Sequence, residues 1–224
     1  MSLRHALLAV LTAEPMTGYD LVKYFDGTVA FIWYAPHSQI YPELRRMERD
    51  GLVEARVVPR GQRSEKRLYS ISPSGQRELA RWINELLPLQ PDRDPHRLKA
   101  AYIEFAEPDS ARRQLTEHIR HYEQWLRRWQ QLLTDIDQRR VGLLQRRLQA
   151  SPPAKHQAIV SYKRFAFEGE VAKAEAEIAW AKRGLSLIDS LSEDIEKQDR
   201  RVGANSTDGK RPRVKGSRRA ASGQ

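Results

Sequence analysis

A chain of 224 residues, 40% hydrophobic and 30% charged, has enough apolar content for one sizeable domain or two small ones, with a real core. It carries 39 Lys and Arg against 29 Asp and Glu, a net charge of +10, which points to a polyanionic partner without choosing between nucleic acid and an anionic membrane. The absence of cysteine excludes disulfides, thiolate metal sites and cysteine nucleophiles, and suits a reducing compartment.

The apolar run from Ala6 to Ala13 superficially resembles a signal peptide. It is short, lacks an A-x-A cleavage site, and spaces Leu3, Leu7 and Leu11 as a helix does, so Ser2 to Ala13 is expected to form a first core helix stopped by Glu14-Pro15. No stretch approaches the roughly 18 apolar residues that span a bilayer; a cytoplasmic chain without a membrane partner is expected. Thr17-Gly18-Tyr19-Asp20 has the form of a helix start, with the Thr17 hydroxyl as N-cap and Asp20 at the third position, where an acid also suits the helix dipole. That second helix runs to about Asp26-Gly27 and offers Leu21, Val22 and Phe25 to a core.

A third helix is expected from Ser38 to Asp50, with Ile40, Leu44 and Met47 as its apolar stripe and Gly51 as its stop. Ser38 is its expected N-cap, which places Pro42 at the edge of the first turn. Residues 52–58 and 66–72 read as two strands around the turn-like Pro59-Arg60-Gly61-Gln62-Arg63-Ser64, a β-hairpin. Ser74 to Leu89 then forms a fourth helix anchored by Leu79, Trp82, Ile83 and Leu86.

The proline-punctuated Pro88–Pro95 is a natural boundary. Beyond it the chain reads as helical: a short segment near His96–Ala106, then Asp109–Ala150 and Pro153 to about Lys197. Leu115, Ile119, Tyr122, Leu126, Trp129, Leu133 and Ile136 repeat in a 4-3 heptad pattern, a seam that needs another helix to cover it. Unbroken, that helix would be about 60 Å long, so it reads as a dimerisation arm, with a bend or break expected at Arg140-Val141-Gly142. Gly169, Ala172, Ala176 and Ala179 would permit close helix approach on the second long helix. From Asp199 onward eight basic residues stand against two acids, so six of the ten net charges lie in a tail with almost nothing to bury, expected to be disordered. The expected division is 1–89, a DNA-binding domain; 90–197, a helical dimerisation and effector domain; and 198–224, a basic tail.

Helix, capped helix, helix, β-hairpin, helix is the element order of a winged helix-turn-helix, whose third helix enters the DNA major groove. With Ile40, Leu44 and Met47 inward, a 100° step puts Ser38, Pro42, Arg45 and Arg49 on the far side, flanked by Gln39, Tyr41 and Arg46. Arg suits guanine, Gln suits adenine, and Ser and Tyr bond phosphates or base edges. The wing adds Arg60, Arg63, Lys66 and Arg67 against one acid, Glu65, a phosphate-binding loop by charge.

Leu7-Leu8, Met16-Thr17-Gly18-Tyr19-Asp20-Leu21, Ser38 to Leu44 (SQIYPEL), Asp50-Gly51-Leu52-Val53 and Tyr69 to Gly75 (YSISPSG) resemble the pattern of the PadR family of bacterial transcriptional regulators, from Ser2 to about Leu87. The resemblance implies a mainly α protein: a winged helix-turn-helix N-terminal domain with a small β-hairpin wing, and an α-helical C-terminal domain that dimerises. It implies a repressor acting as a homodimer on double-stranded DNA, with some relatives releasing DNA on binding a small aromatic effector; the larger members include activators. Thr17 and Tyr19 join the DNA-binding set on this motif.

Phe31, Trp33, Tyr34 and Trp82 have two readings, packing under the helix-turn-helix or the wall of an effector pocket. Tyr122, Trp125 and Trp129 likewise read as seam packing or a planar-ligand site. His118 and His121 beside Glu117 lack a third placed ligand, so no metal is expected and exposed helix surface is the default. No phosphate loop, acid/base pair or nucleophile triad stands out, so no catalytic residue and no cofactor is expected. The competing functional readings are nonspecific nucleic-acid coating through the basic tail and a helical protein-interaction module.

Overall fold

The computed structural model describes residues 3–26, 36–60, 64–87 and 93–206. Phe31, Trp33, Tyr34, Arg63, the side chain of Arg60 and the tail from residue 207 lie outside the described residues. The elements run α1 (Leu3–Leu11), β1 (Met16–Thr17), α2 (Gly18–Asp26), α3 (His37–Arg49), β2 (Val53–Arg60), β3 (Ser64–Ile71), α4 (Pro73–Asn84), α5 (Pro95–Ala100), α6 (Pro108–Asp137), α7 (Gly142–Gln149) and α8 (His156–Ser206). Short 3-10 turns at Ile103–Phe105 and Pro153–Lys155 join the helical part.

The chain groups into two compact units. One holds Met1–Arg93 with Leu126–Ala172, the other Asp94–Trp125 with the chain from Lys173. The cut at residue 90 expected from the prolines is therefore a division along the sequence; the compact grouping runs across it, because the middle of the helical region packs with the winged helix.

In the first unit α1, α2 and α3 surround Leu7, Leu8, Leu21, Ile40, Leu44 and Met47, all at or near zero exposure. Each such side chain contributes about 1.5–3 kcal/mol by burial, so the 3.6-residue spacing of apolar positions is what sets the helices against each other. The sheet has the order β1-β3-β2, antiparallel throughout, with Val53 opposite Ile71 and Arg60 opposite Ser64 in the hairpin. The two-residue β1 adds Met16 opposite Tyr69, an edge the sequence patterning did not show.

Three local expectations are corrected. Pro36, not Ser38, stands at the N-cap of α3, and no side chain caps it; Pro42 is consequently the sixth helical residue, inside the second turn. Ile83 and Leu86 do not anchor α4, which ends at Asn84 and leaves them 67% and 97% exposed. Finally, α8 continues to Ser206 rather than ending near Lys197.

One corner ties three elements together. Gly51, at φ +70°, ends α3 in the left-handed region that glycine adopts without strain, while the Gly51 and Leu52 amides donate back to Glu48 and Met47. Ser72 then donates its hydroxyl to the Gly51 carbonyl at 2.6 Å and caps α4 by accepting from the Gly75 amide at 3.0 Å.

On α4, Glu78 accepts from Arg81 and lies 3.0 Å from His5 Nε2; the His5 ring stacks on Trp82. The Arg81 hydrogen bonds, then that of His5, hold the Glu78 carboxyl down at about 2 against an ordinary 4.5. A folded value below the unfolded one gives stability that is present above about pH 4.5 and lost as pH falls toward 2. Glu78→Gln is expected to flatten the dependence of Tm on pH across that window. A variant whose Tm–pH curve ran parallel to the parent would remove Glu78 from the acid limb.

The α6 seam does not stand open. Trp129 packs on Phe167 of α8 with ring centroids 5.8 Å apart, and both are buried. In the second unit Leu115 presses on Gly184, where an added Cβ would lie 2.9 Å from Leu115 Cδ1. Ile136 is fully buried as well, and Ile119, Tyr122, Leu126 and Leu133 are partly buried. The repeat is thus covered within one chain along much of its length. The close approach falls at Gly184, with Ala174 and Ala181 buried, and not on the stripe of Gly169, Ala172, Ala176 and Ala179, which is exposed. The break after α6 comes where expected: Arg139 has φ +54° and Arg140 folds back on Asp135.

Candidate nucleic-acid interface

The start of α2 is fastened by a reciprocal capping box. The Asp20 amide donates to Thr17 Oγ1 at 3.2 Å, while the Thr17 amide and hydroxyl donate to Asp20 Oδ2 at 3.2 and 2.6 Å. Thr17 is 5% exposed, so its hydroxyl serves the helix start, whereas the next position but one, Tyr19, is 66% exposed.

Across from it α3 turns Ile40, Leu44 and Met47 inward and leaves Ser38, Gln39, Tyr41, Pro42, Arg45 and Arg46 exposed. The Tyr41 ring lies over Gly18, so close that a Cβ there would sit 2.5 Å from Tyr41 Cε1. From the wing, Lys66 and Arg67 on β3 face the same concavity, a pocket of about 400 Å³ that also includes Tyr19, Tyr41 and Arg45, with Tyr69 in its wall. Burial pushes the Tyr69 phenol up, so it stays a neutral hydrogen-bonding group beside these cations.

The cations are not equivalent. Arg46 is paired with Glu43 at 2.7 Å, and Arg67 with Glu48. Among the described residues Arg45 and Lys66 have no carboxylate partner. Two exposed cations without counter-ions, in one concavity with exposed tyrosines, suit a polyanion: phosphates replace solvent ions there without breaking an internal pair.

A second concavity of about 400 Å³ lies in the other unit, walled by Tyr102, Phe105 and Trp180 with His96, Lys99 and His118. His118 corrects the expectation of exposed surface: it is 7% exposed, with Nε2 2.9 Å from Glu177 Oε2. Glu177 also accepts two hydrogen bonds from Arg97 at 2.6 and 2.8 Å, and Arg97 lies over the Trp180 ring at 4.1 Å. The Arg97 hydrogen bonds, then that of His118, hold the Glu177 carboxyl below its ordinary range. His121 is exposed, and no group of three metal-ligating side chains occurs among the described residues. Sequence reading missed this cluster because Glu177 stands 59 and 80 residues from its partners His118 and Arg97; the only local signal was His118 one turn from Tyr122. Of the aromatic set considered for an effector, Trp82 is half-buried on His5, and the other three members lie outside the described residues.

Residues 7–81 match the model of the transcriptional regulator PadR-like family. A probable transcriptional regulator of Mycobacterium tuberculosis, Rv1176c, is 45% identical over 93 residues, 42% of this chain and 48% of that relative. The negative transcriptional regulator PadR of Bacillus subtilis is 35% identical over 102 residues, 45% of this chain and 56% of that relative. The chain thus spans about half the length of the curated relatives it matches. Solved structures extend the likeness in fold: Bacillus subtilis PadR in complex with operator DNA has a TM-score of 0.65 at 24% identity, covering 83% of this chain and 97% of that one. The same protein in complex with p-coumaric acid has a TM-score of 0.59 at 23% identity, covering 84% and 95%. Among the described residues no helix is long and apolar enough to cross a membrane.

Proposed function

Through residues 7–81 this chain belongs to the transcriptional regulator PadR-like family, and on that premise we propose that it binds operator DNA with α3 in the major groove and the β2–β3 wing on the phosphates. The observation that carries the proposal is the pairing of a polar, exposed α3 face with Arg45 of α3 and Lys66 of the wing, which line one concavity and have no carboxylate partner among the described residues. Arg45→Ala is expected to weaken the cognate site about tenfold with little change on random DNA. Lys66→Ala is expected to weaken both and to reduce the slope of log affinity against log salt by about one. Gel shifts on the DNA upstream of its own gene check both. Equal losses on cognate and random DNA for Arg45→Ala would remove its base-reading role.

The finer proposals draw on the Bacillus subtilis relative, described as a negative regulator and solved with operator DNA and with p-coumaric acid. This chain acts as a homodimeric repressor on a pseudo-palindromic site, with half-sites about 34 Å apart, and a small aromatic effector releases it. Since the α6 seam is largely used within the chain, the dimer contact falls on apolar side chains left exposed, such as Tyr162, Phe165, Leu187 and Leu191. The concavity of His96, Lys99, Tyr102, Phe105 and Trp180 offers planar walls and a cation to such an effector. Deleting residues 207–224 separates these readings from nonspecific coating: a regulator keeps its operator preference, a coating protein loses most binding.

A further inference from the structure

The two-turn helix α7 makes a contact that neither the core nor the DNA-facing surface explains. It is set off from α6 by the left-handed Arg139 and from α8 by Ala150–Pro152. Leu144 and Leu148 are buried, and Leu143 packs against the winged-helix core. Its Arg146 then bonds two residues of the winged-helix part with one nitrogen. Arg146 Nη1 donates to Glu14 Oε1 at 2.7 Å and to the Tyr24 hydroxyl, with the guanidinium 5.8 Å from the Tyr24 ring centroid.

Glu14 lies two residues before β1, and Tyr24 is near the far end of α2. One guanidinium nitrogen therefore ties α7 both to the segment ahead of β1 and to the C-terminal half of α2, the helix that packs on α3 and presents Tyr19 to the pocket. All of these residues belong to one compact unit, together with Leu126–Ala172 of the long helices. The contact is peripheral: Arg146 and Glu14 are 41% and 38% exposed, and the buried core is complete without them. Surface pairs of this kind contribute little to stability. Their geometric effect is different, because a shared nitrogen holds the C-terminal half of α2 against both α7 and the segment that leads into β1.

We propose that Arg146 is a positioning residue that sets α2, and with it the DNA-reading α3, at a fixed angle to α7 and the Leu126–Ala172 segment of the same compact unit, and so determines the half-site spacing the dimer accepts. This rests on the dimeric operator reading above. One base pair moves a half-site by about 3.4 Å along the duplex, so a shift in α3 of a few ångströms changes which spacing fits.

The test uses the full-length protein with Arg146→Gln, Glu14→Gln and the swap Glu14→Arg with Arg146→Glu. Affinity is measured on the operator and on versions with one base pair added or removed between half-sites. Arg146→Gln is expected to lose about tenfold at the native spacing and to bind the three spacings almost equally. The swap should restore the native preference. Hydrogen exchange without DNA gives an independent readout: amides 18–26 should lose protection in Arg146→Gln while those of α3 and α4 keep it. The same loss at every spacing, or unchanged exchange in α2, overturns the proposal. A parent protein with no operator preference instead overturns the DNA reading, and the exchange result then still decides whether Arg146 holds α2.

Discussion

Gly75→Ala is expected to unfold the winged-helix unit at moderate temperature. Gly75 is buried in the first turn of α4, and an added Cβ would lie 2.1 Å from the Leu52 carbonyl oxygen and 3.0 Å from Ile71 and Leu8 side-chain carbons. Side chains can yield; a backbone carbonyl held by the Ser72 amide at 3.1 Å cannot move without opening the corner between α3, β2 and α4. Overpacking of this kind costs about 3 kcal/mol or more, which for a domain of this size lowers Tm by roughly 15 °C. Thermal unfolding followed by circular dichroism checks it. A loss of only a degree or two would mean that the corner opens easily and that the Ser72 bridge is slack.

Gly18→Ala is expected to leave stability nearly intact and to impair operator binding. The new methyl would meet a ring and not a backbone, 2.5 Å from Tyr41 Cε1 and 3.0 Å from Cδ1. Tyr41 is 43% exposed, so its ring can swing toward solvent, and alanine at a helix start is no worse than glycine. The displaced ring then stands on the face proposed to meet DNA. A cost of about 2 kcal/mol, roughly thirtyfold in affinity, is expected on the cognate site. Because the effect passes through one side chain, adding Gly18→Ala to Tyr41→Ala should cost almost nothing further. Additive losses in that double variant would show that Gly18 matters for another reason.

These two glycines show which parts of the molecule could be read from residues alone. Ile40, Leu44 and Met47 announced the inner face of α3 because a helical repeat is a local pattern, and the hairpin and the Thr17–Asp20 box were legible for the same reason. The short motifs Asp50-Gly51-Leu52 and Ser72-Pro73-Ser74-Gly75, which carry part of the family resemblance, prove to be architectural: they form the two sides of one buried corner. Their meaning depends on a contact 21 residues apart, which no local pattern encodes. The α6 seam was legible only in part. Its heptads correctly demanded a covering helix, but period alone does not say whether that helix belongs to the same chain. The α3 cap was misplaced because Ser38 is a good cap by type, while Pro36 was already positioned to begin the helix.

Pro42, inside α3, changes what the proposed base-reading helix can offer. Proline has no amide hydrogen, so the carbonyl of Ser38 lacks the helical donor it would otherwise receive from position 42. Ser38 is exposed on the outward face. The proposed reading helix therefore carries a main-chain acceptor without its helical donor, a group that a base amino group can engage. Alanine scanning of α3 leaves that oxygen without its helical donor at every position but one. Only replacement of Pro42 restores its internal partner, so the informative variant of this helix is the one that improves its hydrogen bonding.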